Sequence, residues 1–249
     1  MFAWHAAPSP CCGDQPTASE SGPYAILERM PKLTIDPALK QKCPRTALGF
    51  LLARVITRDT PAGLLEEMSL RENEILGLPQ PRVVLESSTI LATRGGYRAL
   101  GKDPARYRGS AEALLRRLLS GKGFPQINSV VDIINLVSVE SRLPIGLYDL
   151  AHVKGNIVFR AGRAGESYKG IGKYDLNLED LAVFCDDVGP HGSPTSDSER
   201  TMVRSATLQV AAILISFGGV EGVQTAGERM SALLEKYAGG HDTHFEIVS

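Results

Sequence analysis

The segment from Gln126 to Asp149 combines an apolar helical pattern with side chains that could bind a ligand. Asn128, Asp132 and Asn135 stand among its apolar residues, and a Pro-Ile-Gly turn follows. Buried polar groups cost free energy unless they are hydrogen-bonded. The pattern therefore has two interpretations: a built binding site, or a core helix that is capped by Asn128 and carries Asp132 on its solvent face. The second interpretation accounts less well for Asn135 and for the turn.

A second concentration of polar groups lies between Pro190 and Thr201, where hydroxyls, carboxylates and one arginine follow one another. Turn chemistry at Ser193-Pro194 favours a solvated loop. The alternative is a loop that presents hydroxyls and charges to a polar ligand.

Other patterns that could carry chemistry have structural explanations. Gly170 to Lys173 lacks the spacing of a Walker phosphate loop, so it predicts a turn between strands. His241 and His244 have no third ligand nearby, which favours a solvated tail over a metal site. His152 and His191 are isolated, and no nucleophile elbow can be identified. We expect no metal and no cofactor.

Composition restricts the classes of function. The chain has 249 residues, 43% hydrophobic and 22% charged, as in one large globular domain or two small ones. Its net charge of −1 excludes a general binder of polyanions, so any nucleic-acid contact needs a local basic patch. The four cysteines form no disulfide framework, which favours a reducing compartment. With no apolar run near the roughly 20 residues of a membrane span and no signal-peptide pattern, we expect a cytoplasmic protein.

Helices dominate the first half of the chain, where several of these groups must be positioned. Residues 1–30 show no periodicity and predict a disordered extension. An apolar run from Ala47 to Ile56 predicts a strand, and Thr60-Pro61 predicts the start of a helix. Helical spacing resumes from Thr89 to Leu100. Ser110 is the predicted N-cap of the clearest helix.

The second half is richer in strands. Short runs from Ile157 to Arg160 and from Leu181 to Cys185 predict strands. The run from Leu208 to Phe217 fits a buried strand or a buried helix, and its branched residues favour a strand. A last amphipathic helix is predicted from Val223 to Tyr237. This order of elements predicts an α+β domain.

At several of these positions the sequence resembles the B3/B4 domain, the editing module of the β subunit of bacterial phenylalanyl-tRNA synthetase. The matching residues are Val131, Asp132, Asn135, Leu136, Pro144, Tyr148, Asp149, Val153, Gly155, Ile157, Val158 and Arg160. The upstream residues resemble free-standing members of the family more closely. They are Tyr97, Arg98, Leu100, Gly101, Pro104, Tyr107, Ser110, Glu112 to Leu115, Arg117, Lys122 and Pro125, and downstream Ser198 to Thr201.

The resemblance implies a single B3/B4-like domain over residues 31–238, with helices packed on a mixed, mainly antiparallel sheet, and a tail at 239–249. It also implies a pocket between two halves that receives the aminoacylated 3′ end of tRNA. In the synthetase, that pocket hydrolyses the ester of a wrong amino acid. Such a hydrolytic sieve is needed because a hydrophobic pocket rejects a near-isosteric side chain only weakly. The implied partner is tRNA rather than DNA.

Two departures from the editing motif bear on the chemistry. The motif has Thr-Asn where this chain has Ile134-Asn135, and it has Met-His-Ala-Phe-Asp where this chain has Ile145 to Asp149. Gly146 thus stands in the place of the histidine, and a histidine-assisted water is not available there. Either other groups and the ribose hydroxyl of the substrate support hydrolysis, or the domain binds without hydrolysing. No ATP-binding motif is present, so we do not expect a tRNA ligase.

The resemblance also implies roles for individual residues. Asn135 is expected to orient the aminoacyl group, Gly146 to allow close backbone approach, and Asp149 to fix the turn by hydrogen bonds. The polar loop is expected to face ligand with Ser193, Ser196, Glu199 and Arg200. Phosphate contacts are expected from Arg98, Arg116, Arg117 and Lys122. For Arg116 and Arg117, a solvated helix face is the alternative. The catalytic residues and the oligomeric state stay open.

Three functions follow from these expectations. The first is recognition of aminoacyl-tRNA with editing in trans by ester hydrolysis. The second is a catalytically silent module that binds RNA or another protein. The third is a hydrolase or sensor for a small amino-acid derivative, which the near-neutral charge favours over a strong RNA binder.

Overall fold

The computed structural model describes residues 30–172 and 175–249. The extension expected at residues 1–30 lies outside this part of the chain, apart from Met30. The strands are β1 (Leu33–Ile35), β2 (Ala47–Arg54), β3 (Ile145–Asp149), β4 (Ile157–Ala161), β5 (Ser167–Lys169), β6 (Asp175–Asn177), β7 (Ala182–Cys185), β8 (Pro190–Gly192), β9 (Gln209–Ser216) and β10 (His241–Val248). The helices are α1 (Pro37–Lys42), α2 (Ala62–Leu76), α3 (Ser88–Ala99), α4 (Ser110–Leu119), α5 (Ser129–Ser141) and α6 (Val223–Ala238).

Two long apolar strands form the centre of the fold. β2 and β9 are buried along almost their whole length and pair antiparallel, from Ala47 opposite Ser216 to Arg54 opposite Gln209. β10 and β3 extend this sheet to the order β10-β2-β9-β3. Because both faces of the central strands are covered, their sequences are continuous apolar runs rather than alternating ones. The strands expected from these two runs are confirmed.

Helices α2, α5 and α6 cover one face of the central sheet. Their apolar side chains, such as Leu64, Ile133 and Met230, share one core with Leu147 of β3 and Ala212 of β9. α5 and α6 also pack against each other. None of the helices in the described ranges is long and apolar enough to cross a membrane.

A second sheet, in the order β1-β4-β7-β8, lies against the central one. β1 runs parallel to β4, and the other pairs in this sheet are antiparallel. Aromatic rings join the two sheets: the Tyr148 ring lies 5.9 Å from that of Phe184, which stacks on Phe159 at 4.5 Å. The expected α+β class, with a mixed and mainly antiparallel sheet arrangement, is confirmed.

The C-terminal residues form a strand rather than the expected tail. β10 pairs antiparallel with β2, from His241 opposite Arg54 to Val248 opposite Leu48. This pairing covers the edge of β2 that β9 leaves open. The sequence did not indicate this strand, because it begins with four exposed residues and pairs with a strand almost 200 residues away.

The helix starts agree only in part with the capping signals. Asn128 caps α5 as expected, because its Oδ1 accepts a hydrogen bond from the backbone N–H of Val131 at 3.0 Å. The prediction of Ser110 as the N-cap of α4 is wrong, since Gly109 holds that position. A Cβ atom on Gly109 would lie 3.1 Å from Thr93 and 3.3 Å from Pro144. Close packing of neighbouring elements therefore places glycine at the cap.

Candidate functional site

The start of α5 is organised around a buried carboxylate. Asp132 is 0% exposed, so the interpretation that placed it on a solvent face is wrong. Its carboxylate accepts hydrogen bonds from the Thr60 hydroxyl at 2.6 Å and from the backbone N–H of Ile127 at 3.1 Å. Burial raises the pKa of Asp132, while these bonds and one from the Asn135 side chain act in the opposite direction. Thr60 serves this network and makes no cap for α2, whose N-cap is Pro61.

Asn135 is half-buried one helical turn after Asp132. A carboxylate only accepts hydrogen bonds, so Asn135 presents its NH₂ group to Asp132. The carbonyl oxygen of the Asn135 side chain then remains as an acceptor for another donor. The sequence did not reveal that Asp132 fixes this amide.

The hydroxyl of Tyr148 fills the space beside Gly146. A Cβ atom added at Gly146, or at Gly192 of β8, would lie 2.1 Å from this oxygen. The hydroxyl donates to one carboxylate oxygen of Asp197 at 3.1 Å, and the backbone N–H of Leu147 donates to the other at 3.1 Å. Burial and the charge of Asp197 raise the pKa of Tyr148 well above its ordinary value. Tyr148 is therefore a neutral donor and cannot act as a base near pH 7.

Asn135 and Gly146 belong to opposite faces of the central sheet. Successive side chains of a strand point to opposite faces. Ile145 and Leu147 face the core that contains α5. Gly146 and Tyr148 therefore face the second sheet, where the Tyr148 ring lies 4.5 Å from that of His191. The structure does not bring Asn135 and Gly146 onto one face.

Asp149 holds the chain where β3 ends. Its carboxylate accepts hydrogen bonds from the Ala151 N–H at 3.0 Å and from the Thr207 hydroxyl at 2.7 Å. Its own N–H donates to the carbonyl of Thr201 at 2.8 Å. These bonds fix the turn, which is the structural role expected for Asp149.

Three buried tyrosines anchor the polar loop from Ser193 to Thr201. The Tyr97 hydroxyl bonds to that of Thr195 at 2.7 Å, and the Tyr168 hydroxyl donates to the Ser196 carbonyl at 2.5 Å. Tyr148 holds Asp197 as described. Burial raises the pKa of Tyr97 and Tyr168, so both hydroxyls stay protonated.

Most of the loop residues expected to face ligand make contacts within the protein. Ser193 is buried, and its hydroxyl donates to the Ser196 carbonyl at 2.9 Å. Glu199 pairs with Lys169 at 2.9 Å on the surface. Arg200 binds both carboxylate oxygens of Asp186 at 2.9 and 3.0 Å. Their predicted contacts with ligand stay predictions.

His191, which looked isolated in the sequence, lies in the interior of the protein. It is 0% exposed, and neither of its ring nitrogens has a hydrogen-bond partner among the described residues. Burial lowers its pKa to about 4. It lies beside Tyr148, on the face of the sheet that Gly146 also faces. No local sequence signal distinguished it, because its neighbours come from distant parts of the chain.

The residues expected to contact phosphates lie on α3, on α4 and in the turn after α4. Arg98 and Lys122 are exposed. Arg116 donates to Glu112 at 2.8 Å. Arg117 donates to the carbonyls of Gly123 at 2.9 Å and of Lys122 at 3.2 Å, so it closes the turn after α4.

Two cavities open elsewhere on the surface. One of about 510 Å³ lies between α3 and the turn after α1, and another of about 460 Å³ lies between α5 and the start of α6. Neither cavity is lined by the site residues that the sequence predicted.

Comparison with known proteins links these features to one family. Residues 92–239, more than half of the chain, match the family described as the B3/4 domain. The phenylalanine–tRNA ligase β subunit of Chromobacterium violaceum is 35% identical over 79 residues, which cover 31% of this chain and 10% of that protein. The β subunit of Bartonella henselae is 35% identical over 98 residues, covering 39% and 12%. The chain thus spans about a tenth of the length of these relatives.

A solved structure shows a weaker similarity. An N-terminal fragment of the phenylalanyl-tRNA synthetase β subunit from Pyrococcus horikoshii has a TM-score of 0.46 and 16% sequence identity. The alignment covers 88% of this chain and 50% of that fragment.

Proposed function

The chain belongs to the B3/4 domain family, and on that premise we propose that it recognises the aminoacylated 3′ end of tRNA and hydrolyses the ester of a mischarged tRNA. The observation that carries the proposal is the family match over residues 92–239. That span contains the Asp132–Asn135 pair, all of β3 and the polar loop.

The Asn135 amide suits the recognition of an aminoacyl group. Asp132 accepts a hydrogen bond from the NH₂ group of Asn135, so the carbonyl oxygen of this amide can accept one from a ligand. The α-ammonium group of an aminoacyl ester is a donor of this kind. A charge-assisted bond from it to the Asn135 oxygen would orient the ester.

Hydrolysis would rely on positioning of the ester and the attacking water, because position 146 is glycine and offers no histidine base. An activated ester needs an oriented water molecule and donors for the developing oxyanion. Tyr148 is held neutral by burial and by its bond to Asp197. The ribose hydroxyl of the substrate would then assist the attacking water.

The proposal is tested by incubating the purified protein with a panel of mischarged aminoacyl-tRNAs and measuring ester loss. We expect protein-dependent hydrolysis of at least one member and at least a tenfold loss of rate in Asn135→Ala. The matched control is Asn73→Ala, which removes the same amide from an exposed position on α2. Equal rates in both variants would contradict the role of Asn135.

A second candidate, binding of tRNA without hydrolysis, is favoured by one observation. The Tyr148 hydroxyl occupies the space into which a side chain at position 146 would extend. Salt-dependent tRNA binding without ester loss across the panel would select this candidate. Hydrolysis of aminoacyl esters of small alcohols, without tRNA binding, would instead indicate an enzyme for small amino-acid derivatives.

A further inference from the structure

One buried carboxylate near the start of α4 holds several arginines together. The side chain of Glu112 is 5% exposed. It accepts two hydrogen bonds from Arg94 at 2.9 Å each and one from Arg116 at 2.8 Å. The Nε of Arg108 lies 3.7 Å from it. Burial opposes ionisation, but Arg94 and Arg116 hold the pKa of Glu112 below its ordinary value.

The three arginines carry more positive charge than Glu112 and Glu86, the second carboxylate that acts on Arg94, together neutralise. The two bonds from Arg94 already satisfy Glu112 as a bidentate pair. Arg108 and Arg116 add two charges, and their side chains are 39% and 41% exposed. Arg94 alone compensates the cost of burying the charge of Glu112 through two hydrogen bonds, whereas the more exposed Arg108 and Arg116 add little to stability.

Two donors in this cluster lack acceptors among the described residues. They are the Nε of Arg108 and the hydroxyl of Ser110, and both atoms are buried. Buried donors normally have partners. These two lie two residues apart, at the junction where the chain enters α4.

The junction is held rigidly against the rest of the domain. The N–H of Ser110 donates to the Pro194 carbonyl at 2.7 Å, and Gly109 packs against Thr93 and Pro144. Arg108 also donates from Nη2 to the Ala105 carbonyl at 3.1 Å. The guanidinium groups are therefore pre-oriented beside the polar loop.

We propose that Arg94, Arg108 and Arg116 form a phosphate-binding site that receives the backbone of tRNA. Guanidinium groups bind phosphate oxygens through paired hydrogen bonds, and the partly exposed side chains of Arg108 and Arg116 are accessible to such a group. Arg98, four residues after Arg94 on α3, extends the positive surface. This inference rests on the proposed function, because it assigns the phosphates to tRNA. It adds Arg94 and Arg108, which the sequence had not indicated.

The test uses a double variant that should fold. Arg108→Gln with Arg116→Gln removes two charges and leaves the bidentate pair between Arg94 and Glu112 intact. The matched control is Arg45→Gln with Arg163→Gln, two exposed arginines outside the cluster. Thermal unfolding first establishes that both variants keep the wild-type melting temperature to within a few degrees.

Binding of tRNA is then measured as a function of NaCl concentration. Each lost phosphate contact lowers the slope of log K against log salt by roughly 0.7 to 0.9. We expect the double variant to lose about 1.5 from this slope and the control to keep it. A second arm measures the rise in melting temperature caused by inorganic pyrophosphate at constant ionic strength, which the double variant should lose.

The outcomes separate this inference from the proposed function. If the wild-type protein binds tRNA and the double variant keeps the full salt slope, the site is overturned while tRNA recognition stands. If the wild-type protein binds no tRNA, the proposed function fails, and the assignment of the phosphates to tRNA fails with it. The pyrophosphate arm then decides on the site itself: stabilisation lost in the double variant supports it, and equal stabilisation overturns it.

Discussion

Replacing Gly146 by alanine tests whether the Tyr148 hydroxyl fills the space beside β3. A Cβ atom at position 146 would lie 2.1 Å from the hydroxyl oxygen and 2.7 Å from Cζ of Tyr148. Both separations are too short for real atoms, so either Tyr148 or β3 must move. Moving Tyr148 breaks its bond to Asp197 and disturbs the ring contacts with Phe184 and His191.

Contributions of opposite sign decide how Gly146→Ala changes the free energy of unfolding. Alanine is normally more favourable than glycine inside a regular element by roughly 0.5–1 kcal/mol, because it restricts the unfolded chain. Overpacking a core costs about 1–3 kcal/mol, and loss of a hydrogen bond to a charged group adds about 1.5–3 kcal/mol. We expect the overlap and the lost hydrogen bond to dominate, with a net loss of about 1.5–5 kcal/mol in the free energy of unfolding.

The assay is equilibrium unfolding in urea of Gly146→Ala, Tyr148→Leu and the double variant. Leucine lacks the hydroxyl and the outer ring atoms, so alanine at 146 should cost at least about 1 kcal/mol less in that background. The control is Gly95→Ala, because a Cβ atom there meets nothing within 4 Å and α3 should gain about 1 kcal/mol. A Gly146→Ala variant as stable as the wild type would refute the reasoning.

Three further predictions concern buried polar groups. Burial lowers the pKa of His191 to about 4 from about 6.5 in the unfolded chain. Neutral His191 contributes fully to the free energy of unfolding above pH 6.5, and this contribution is lost as the pH falls towards 4. Urea unfolding should therefore show a free energy of unfolding about 2 kcal/mol lower at pH 5 than at pH 7.5. His191→Phe should remove that part of the pH dependence; an unchanged profile would contradict it. Asp132→Ala leaves the Thr60 hydroxyl and the Ile127 N–H without their acceptor and should cost about 1–3 kcal/mol by the same assay; no loss would contradict the network. Arg200→Ala removes two hydrogen bonds from the carboxylate of Asp186, which keeps those from three backbone N–H groups, and should cost about 1.5–3 kcal/mol; Arg200→Lys should cost less, and a neutral Arg200→Ala would contradict the pairing.

The elements that could be predicted are those whose signal is local. The apolar runs of β2 and β9 predict strands that are buried on both faces. Asn128 predicts the start of α5, because its own side chain caps the helix. The helical spacing of α4 needed no tertiary information either.

The features that were missed depend on contacts between distant residues. Asp132 is buried because Thr60 supplies a hydroxyl from 72 residues away. Tyr97 reaches Thr195 across 98 residues, and the Ser193 hydroxyl, which looked available for a ligand, is bonded within the protein. Glu112 of α4 forms an ion pair with Arg94 of α3, and the sequence of neither helix alone indicates this pair.

The surroundings of Gly146 also depend on tertiary contacts. The sequence showed that the family histidine is absent there. It could not show that Tyr148, two residues later, places its hydroxyl in that space and bonds to Asp197.

The central claim is that this B3/4 domain recognises aminoacyl-tRNA and hydrolyses its ester. The most direct measurement is single-turnover release of the amino acid from mischarged tRNAs, with the protein in excess and Asn135→Ala beside the wild type. We predict ester loss faster than the spontaneous rate for at least one tRNA, strongly reduced in the variant. Spontaneous rates for every tRNA in the panel would contradict hydrolysis, and the absence of tRNA binding at low salt would contradict recognition as well.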